Sequence, residues 1–549
     1  MATVTDQPSM NDANDRDPFN NNSYGTLVDS EYVPVGLPIL DVNDFNERII
    51  RGYEDGTGEK GLPADLSVAR SLIPAGTATL RDFSYVAPEI PEYLPENCTG
   101  CMDCVTECPD TAILGKVLSE TELNTKLGDL IDDDDDRKMF DHQWSKTRKY
   151  YEQPQKKGKE GGRFAIIIDP SKCKGCAECV TVCDDLALKM IPKTEDKMEE
   201  IRKSHRLFKE FGPSDNQYIN DNLLIDMMLK EETHIYVGGA GSCAGCGEGT
   251  ALRMLCSATG AKYGDQWGIV AATGCNTVYT STYPYNPYLV PWTNSLFENA
   301  AADAMGVRAR WDQMGWGEKP LWCIGGDGAM FDIGFQSLSR LLASGMNVKV
   351  FVLDTQVYSN TGGQASTSTY TGQNTKMSVH GKAFGGKQER RKEIAQIAMM
   401  HPRTFVAQTT CAHTNHFYKA VLGAMEFDGP AVINCFTTCQ PEHGVADNMA
   451  TDQAKLAVDT RAFPLLIYDP SKADTIKKRL SLVGNPAVKA DWWKNPKTGE
   501  IVDFIDFCRS EGRFGKHFDR EGNPSELLLS AKEERLENWR QLQELGGII

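Results

Sequence analysis

Eight cysteines stand in two runs of the same pattern. ENCTGCMDCVTECPDTAI places Cys98, Cys101, Cys104 and Cys108, and SKCKGCAECVTVCDDLAL places Cys173, Cys176, Cys179 and Cys183. Both read C-x₂-C-x₂-C-x₃-C. At this spacing three thiolates bind one [4Fe–4S] cluster and the fourth reaches to the other. The expected sets are Cys98, Cys101, Cys104 and Cys183 on one cluster, and Cys173, Cys176, Cys179 and Cys108 on the other. Structural zinc is the alternative, and the repetition of the spacing favours iron–sulfur. The usual proline after the fourth cysteine is present as Pro109 and replaced by Asp184.

A third C-x₂-C, Cys243 and Cys246, lies in HIYVGGAGSCAGCGEG, a glycine-rich loop that lets backbone approach a ligand closely. Two cysteines alone fit a redox pair. Cys275 follows the apolar run WGIVAA, and Cys439 follows AVINCF. Loops after parallel strands share one sheet edge, so these cysteines can converge there. Cys435 competes for the last place but lies within the strand pattern. Cys256, Cys323, Cys411, Cys435 and Cys508 read as core, and lone histidines such as His413 and His443 as structural.

The remaining chemistry sits between Gly325 and Gln364. LWCI and VKVFVL read as buried strands, with a helix from Phe331 to Ala343 between them and Gly345 as its left-handed cap. The turn Gly326-Asp327-Gly328 and the loop Asp354 to Asn360 then share one edge of a parallel sheet. A carboxylate, the Thr355 hydroxyl and backbone carbonyls suit Mg²⁺, which likes to share its shell with phosphates. The helix start beside Asp327 offers free N–H groups to a phosphate.

Gly-Asp-Gly, followed about thirty residues later by Asn360, resembles the thiamine-diphosphate fingerprint. DTQVYSNTGGQAS is similar more specifically to pyruvate:ferredoxin oxidoreductases. The resemblance implies Mg²⁺ on Asp327, Thr355 and the Val357 carbonyl, with Asn360 facing the reacting centre as the catalytic residue. It extends cofactor contact to Gly326, Gly328, Ala329, Gln356, Tyr358 and Ser359. Glu248, Cys275, Val278 and Phe297 match family positions that contact the cofactor. The family carries a third, proximal cluster on cysteines matching Cys243, Cys246, Cys275 and Cys439, although one residue fewer usually precedes the glycine matching Gly444. The implied cofactors are thiamine diphosphate, Mg²⁺ and three [4Fe–4S] clusters.

The implied fold is α/β: a thiamine-diphosphate-binding, doubly wound parallel sheet with an N-terminal ferredoxin-like 2[4Fe–4S] α+β domain. Residues 1–90 are expected to be a lead-in, disordered over its first stretch, with 61–80 wrapping a neighbouring subunit or domain. The ferredoxin-like domain is expected over 91–192, with an insert at 115–162. That insert carries DDDDD and then Lys146, Arg148, Lys149, Lys156, Lys157 and Lys159, a solvated loop or a docking arm for an acidic ferredoxin. A helical connector spans 193–233 and the thiamine domain 234–468. That domain opens with a strand at His234–Val237, and its 291–306 segment reads as a helix capped by Asn294 or Ser295. The tail, 469–549, ends in a helix whose Leu529, Leu536, Trp539 and Leu542 are expected to pack on a partner.

With 549 residues, 40% hydrophobic and 24% charged, the chain is ordinary globular protein, and its net charge of −18 argues against nucleic acid. No apolar run approaches a membrane span, and the cytoplasm is the default expectation. The resemblance covers only the second half of the usual enzyme. It therefore implies a second chain carrying the pyrimidine-binding half, in a hetero-oligomer with paired catalytic units. The implied reaction is coenzyme A-dependent oxidative decarboxylation of a 2-oxoacid, with electrons passing to ferredoxin or flavodoxin. Pyruvate is favoured because VYSNTGG carries no cation. The alternatives are a 2-oxoglutarate enzyme, a thiamine lyase with structural clusters, and an electron-transfer subunit without thiamine.

Overall fold

The computed structural model describes residues 42–58, 73–376 and 385–549. Most of the expected lead-in, including the stretch expected to be disordered, lies outside the described residues. Its 73–80 part packs on this chain's own 284–288 loop, where Thr77 Oγ1 donates to the Pro284 carbonyl at 3.0 Å.

A cysteine-rich lobe follows. It opens with β1 (Glu89–Tyr93), and β2 (Ile113–Ser119) leads into α1 (Glu120–Leu130) and α2 (Asp134–His142). Strand β3 (Gly162–Ile168) runs antiparallel to β2, from Ile113↔Ile168 to Ser119↔Gly162. Strand β4 (Leu188–Pro192) returns antiparallel to β1, and α3 (Glu195–Glu210) leaves the lobe. The insert expected from 115 therefore begins inside a strand, because β2 must run on to Ser119 to pair with β3.

The acidic run has a local purpose. Asp133 caps α2 by accepting from the N–H groups of Asp135 and Asp136, and the next carboxylates suit the positive end of the helix. The basic run is tied down at its start, while Arg148, Lys156, Lys157 and Lys159 are exposed. Lys146 pairs with Glu120 at 2.6 Å, and Lys149 pairs with the buried Asp226. Tyr150 stacks on Phe164 at 5.2 Å.

The rest is built around one eight-stranded sheet. Its elements are α4 (Gly247–Tyr263), β5 (Gly268–Ala272), α5 (Cys275–Thr280), β6 (Trp292–Ser295), α6 (Ala300–Gln313), β7 (Leu321–Gly326), α7 (Phe335–Ser344) and β8 (Lys349–Asp354). Then come β9 (Phe405–Thr410), α8 (Thr414–Glu426), β10 (Ala431–Phe436), α9 (Ala450–Asp459), β11 (Leu466–Tyr468), β12 (Leu480–Ser481) and α10 (Glu526–Leu545). The order is β12-β11-β9-β10-β8-β7-β5-β6. Strands β5 to β10 are parallel to their sheet neighbours among themselves, while β11 and β12 close one edge antiparallel. Strands apolar on both sides need cover on both faces. One face packs with α4, α8 and the cysteine-rich lobe in a continuous core, and the other packs with α6, α7 and α10. Strand β5 connects to β6 on one side while β7 connects to β8 on the other, so the carboxyl ends of β5 and β7 flank a topological switch point, where such sheets bind ligands.

Several expected elements change. His234–Val237 is not a sheet strand; Tyr236 makes only an isolated bridge to Tyr288, its ring buried against the lobe's core. Trp292–Ser295 is a strand, and the helix expected there begins only at Ala300, since this segment supplies the edge partner of β5. The helix expected from Phe331 is split. A wide turn, Gly328–Ile333, breaks at Gly334 before α7 begins, and a Cβ at Gly334 would collide with the carbonyls of Phe297 and Ala329. The face of α10 expected to meet a partner is filled by this chain: Leu536, Trp539 and Leu542 are buried, and Arg461 lies 4.1 Å over the Trp539 ring.

Candidate functional site

Asp327 ends β7 and Thr355 follows β8, and adjacent parallel strands bring them together. Thr355 Oγ1 lies 3.2 Å from Asp327 Oδ1 and 3.0 Å from the Val357 carbonyl oxygen. Ser359 Oγ donates to Thr355 Oγ1 at 2.8 Å. The other carboxylate oxygen of Asp327 accepts from Ser368 at 2.7 Å and from Ser366. Burial, with Asp354 nearby, pushes Asp327 above the usual carboxylate range, and the two serines pull it back. A buried carboxylate, a hydroxyl and a carbonyl around one point are a hard-oxygen donor set that fits Mg²⁺.

Gln356 does not face this point. Its side chain turns into the core, bonding to Asp354 and accepting from Arg513 at 3.0 Å. It holds φ +56, a left-handed conformation that costs an L-residue roughly 1–3 kcal/mol and collects at functional sites. Thr369 and Gln373 pin it by donating to its carbonyl at 2.7 and 3.0 Å. The kink lets Thr355 and the Val357 carbonyl face the same side. The side chain of Gln356, expected on the cofactor, thus turns away from this point, and its backbone forms the kink between Thr355 and Val357.

A cavity of about 260 Å³ opens over this point. Its floor is Gly326, Asp327, Gly328 and Ala329; its walls include Phe297, Val357, Tyr358, Ser359 and Asn360. A second cavity, of about 140 Å³, is lined by Cys243, Cys246, Cys275 and Cys439. Glu248, Cys275, Thr355, Ser359 and Asn360 line both. Cys435 lines neither; it is buried within β10 opposite Leu353 and Thr409. Val278, expected on the cofactor, lines only the cysteine cavity and is 51% exposed. Burial pushes Glu248 up to about 8, with Asp327 adding to it.

The two cysteine runs repeat in three dimensions. Gly100 and Gly175, Met102 and Ala177, and Thr111 and Leu186 occupy matching places in the runs, and all six have positive φ. The Ala112 N–H donates to Cys108 Sγ at 3.3 Å, and the Ala187 N–H to Cys183 Sγ at 3.2 Å. One cavity is lined by Cys98, Cys101, Cys104 and Cys183. The Cys179 thiol is raised by burial and then by Cys176, Cys108, Cys104 and Cys173, which places Cys108 beside the other run. Among the described residues no group of three or more His, Cys, Asp or Glu is close enough to hold a single metal ion. Four thiols spread around a cavity, with N–H groups aimed at sulfur, fit a cluster larger than one ion.

The C-terminal TPP-binding domain of thiamine pyrophosphate enzymes matches residues 272–435. The pyruvate synthase subunit PorB of Pyrococcus furiosus is 34% identical over 304 residues, covering 90% of that protein and 54% of this chain. This chain belongs to the pyruvate:ferredoxin oxidoreductase family. The probable pyruvate-flavodoxin oxidoreductase of Escherichia coli K12 is 28% identical over 520 residues, 81% of this chain and 41% of that protein. The chain thus spans less than half the length of that relative. A solved 2-oxoglutarate:ferredoxin oxidoreductase from Magnetococcus marinus is 22% identical over 37% of this chain and 65% of its own, with a TM-score of 0.32.

Residues not singled out from sequence complete the site of this oxidoreductase-family chain. Ser366 and Ser368 orient Asp327 from a loop without periodic pattern. His443, set aside as structural, accepts from the Cys439 N–H at its Nδ1 (3.4 Å) and places Nε2 2.8 Å from the Thr355 carbonyl. Burial pushes it well below the usual histidine range, so it is neutral and donates from Nε2. It ties the Thr355 loop to the loop of Cys439. Its only sequence signal was its place four residues after Cys439.

Proposed function

We propose that this chain holds the diphosphate end of thiamine diphosphate and carries electrons away from it, in a coenzyme A-dependent 2-oxoacid oxidoreductase acting on pyruvate with ferredoxin or flavodoxin as acceptor. The observation that carries this is the shared wall. A four-cysteine cavity abuts the pocket over Asp327, with Glu248, Cys275 and Asn360 facing both. When bound, thiamine diphosphate supplies the electron sink for decarboxylation and [4Fe–4S] clusters the one-electron carriers.

Asp327, Thr355 and the Val357 carbonyl would hold Mg²⁺ against the diphosphate. The free N–H groups at the turn after Asp327 would meet its oxygens. Asn360 would orient the reacting substrate, and Glu248 would stand at the boundary of the two cavities. Cys243, Cys246, Cys275 and Cys439 would hold the proximal cluster. The ferredoxin-like lobe would hold the other two on the sets proposed from the cysteine spacing. Val278, Leu296 and Ile333 are exposed apolar side chains at this sheet edge, and a partner chain carrying the pyrimidine-binding half would cover them.

A second reading, 2-oxoglutarate as substrate, draws on Lys376. The loop from Val357 to Gly363 has no cation of its own, but Lys376 Nζ would lie 3.1 Å from a Cβ at Gly362. A second substrate carboxylate needs such a cation. The test is coenzyme A-dependent viologen reduction by the anaerobically purified complex, comparing kcat/KM for pyruvate and 2-oxoglutarate. A preference for 2-oxoglutarate that disappears in Lys376→Ala would replace the pyruvate assignment. Aldehyde release without viologen reduction would mark a lyase, and a complex without thiamine an electron-transfer subunit.

A further inference from the structure

Two buried cations lie between the cysteine-rich lobe and the sheet, and they are matched differently. Lys174, within the second cysteine run, pairs with the buried Asp110 at 2.6 Å and donates to the Ala240 and Ser242 carbonyls at 2.9 and 2.8 Å. Arg253, on α4, has no such partner. It is 2% exposed, and its guanidinium donates to the carbonyls of Val105, Cys108 (3.1 Å) and Ile113 (3.2 Å). Neutral acceptors satisfy its N–H groups but leave its charge uncompensated, and an uncompensated buried charge is strongly destabilising. An arginine does not escape by losing its proton.

The carbonyl partners of Arg253 lie in the first cysteine run: Val105 adjoins Cys104, a ligand of one proposed set, and Cys108 belongs to the other. Asp110, the carboxylate nearest in sequence to Cys108 on its far side, already faces Lys174. The thiolates remain. Cys104 lines the cavity of the first set, while Cys108 stands beside Cys173, Cys176 and Cys179. Arg253 therefore sits between the two sets.

We propose that Arg253 is the fixed counter-charge of both ferredoxin-type clusters and holds their reduction potentials up. This rests on the reading of the two cysteine runs as cluster ligands. One-electron reduction adds a negative charge to a cluster, and a permanent cation in a dry environment favours the reduced state; net charge is one of the levers on such potentials. Helix α4 also begins beside Cys246, so the same helix carries a proximal cysteine and this counter-charge.

The test is EPR-monitored redox titration with dithionite of the complete chain, comparing wild type, Arg253→Gln and Arg253→Lys, with iron measured on each sample. Gln keeps two donors and loses the charge; Lys keeps the charge and loses the fork. The expected result is unchanged iron, potentials of both clusters shifted negative in Arg253→Gln, and near-wild-type potentials in Arg253→Lys. Unmoved potentials in Arg253→Gln, or an equal shift in both variants, would overturn the proposal. If Arg253→Gln loses iron, Arg253→Lys decides: retained iron with wild-type potentials supports the counter-charge, and lost iron overturns it in favour of the hydrogen bonds. Wild-type protein without signals from these eight cysteines would instead sink the cluster reading itself.

Discussion

Thr355 Oγ1 lies 3.2 Å from Asp327 Oδ1, although 28 residues separate them. Neighbouring parallel strands make the meeting, and the strained Gln356 aims the second partner. The arrangement predicts that the proposed Mg²⁺ site can be lost without losing the proposed clusters. Asp327→Ala should abolish thiamine diphosphate binding, measured by calorimetry with Mg²⁺, while leaving iron content unchanged. Ser368→Ala, which frees the carboxylate from one of its donors, should weaken binding by about 10–100-fold. Undiminished binding in Asp327→Ala would put the metal elsewhere.

Cys439 faces the cysteine cavity and Cys435 is buried in β10. Anaerobically reconstituted wild type should contain about twelve irons per chain. Cys439→Ser should lower this to about eight, and Cys435→Ser should leave it near twelve. The reverse pattern would exchange their roles.

The C-terminal helix is a structural element of this chain. Trp539→Ala should cost about 3–5 kcal/mol in denaturant unfolding. Its indole N–H also loses the Ala490 carbonyl, to which it donates at 2.9 Å. Leu529, 44% exposed, should change stability by less than about 0.5 kcal/mol when cut to Ala. A large loss from Leu529→Ala, seen only when another chain is present, would restore a partner contact for this face.

Lys349 begins β8 with Nζ donating to the Phe427 and Gly429 carbonyls at 2.6 and 2.8 Å, and burial pushes it down to about 7 from 10.5. Between those values the unfolded chain binds the extra proton, so stability should rise with pH from about 7 toward 10. Lys349→Met should flatten that slope in urea titrations. An unchanged slope would show that Lys349 stays charged in the fold.

The chemistry of this chain was more legible than its packing. Cysteine spacing and Gly-Asp-Gly are local patterns of the kind that cluster and phosphate geometry impose, so they are visible in the string of letters. The shared edge of the sheet followed from apolar runs ending in Asp327, Cys275 and Cys439. Ser366, Ser368 and His443 were not legible, since each acts through a contact set by loops with no period of their own. The strand Trp292–Ser295 is four residues long and reads equally well as a helix start. Lys146 and Lys149 of the insert looked available because their partners, Glu120 and Asp226, lie far from them in sequence.

The pairing of β1 with β4 has a consequence for how the chain is made. Cys98, Cys101 and Cys104 line their cavity together with Cys183, roughly 80 residues later. A ribosome adding ~5–20 residues per second delivers that fourth thiol about 4–16 s after the third. Over that interval the early thiols have no closed cavity. Any cluster spanning it is completed only once β4 has emerged and paired with β1. The cavity beside Asp327 waits longer still, because Cys439 emerges only after most of the polypeptide. Vectorial synthesis thus orders the cysteine cavities in time as well as in space, with the one beside Asp327 last.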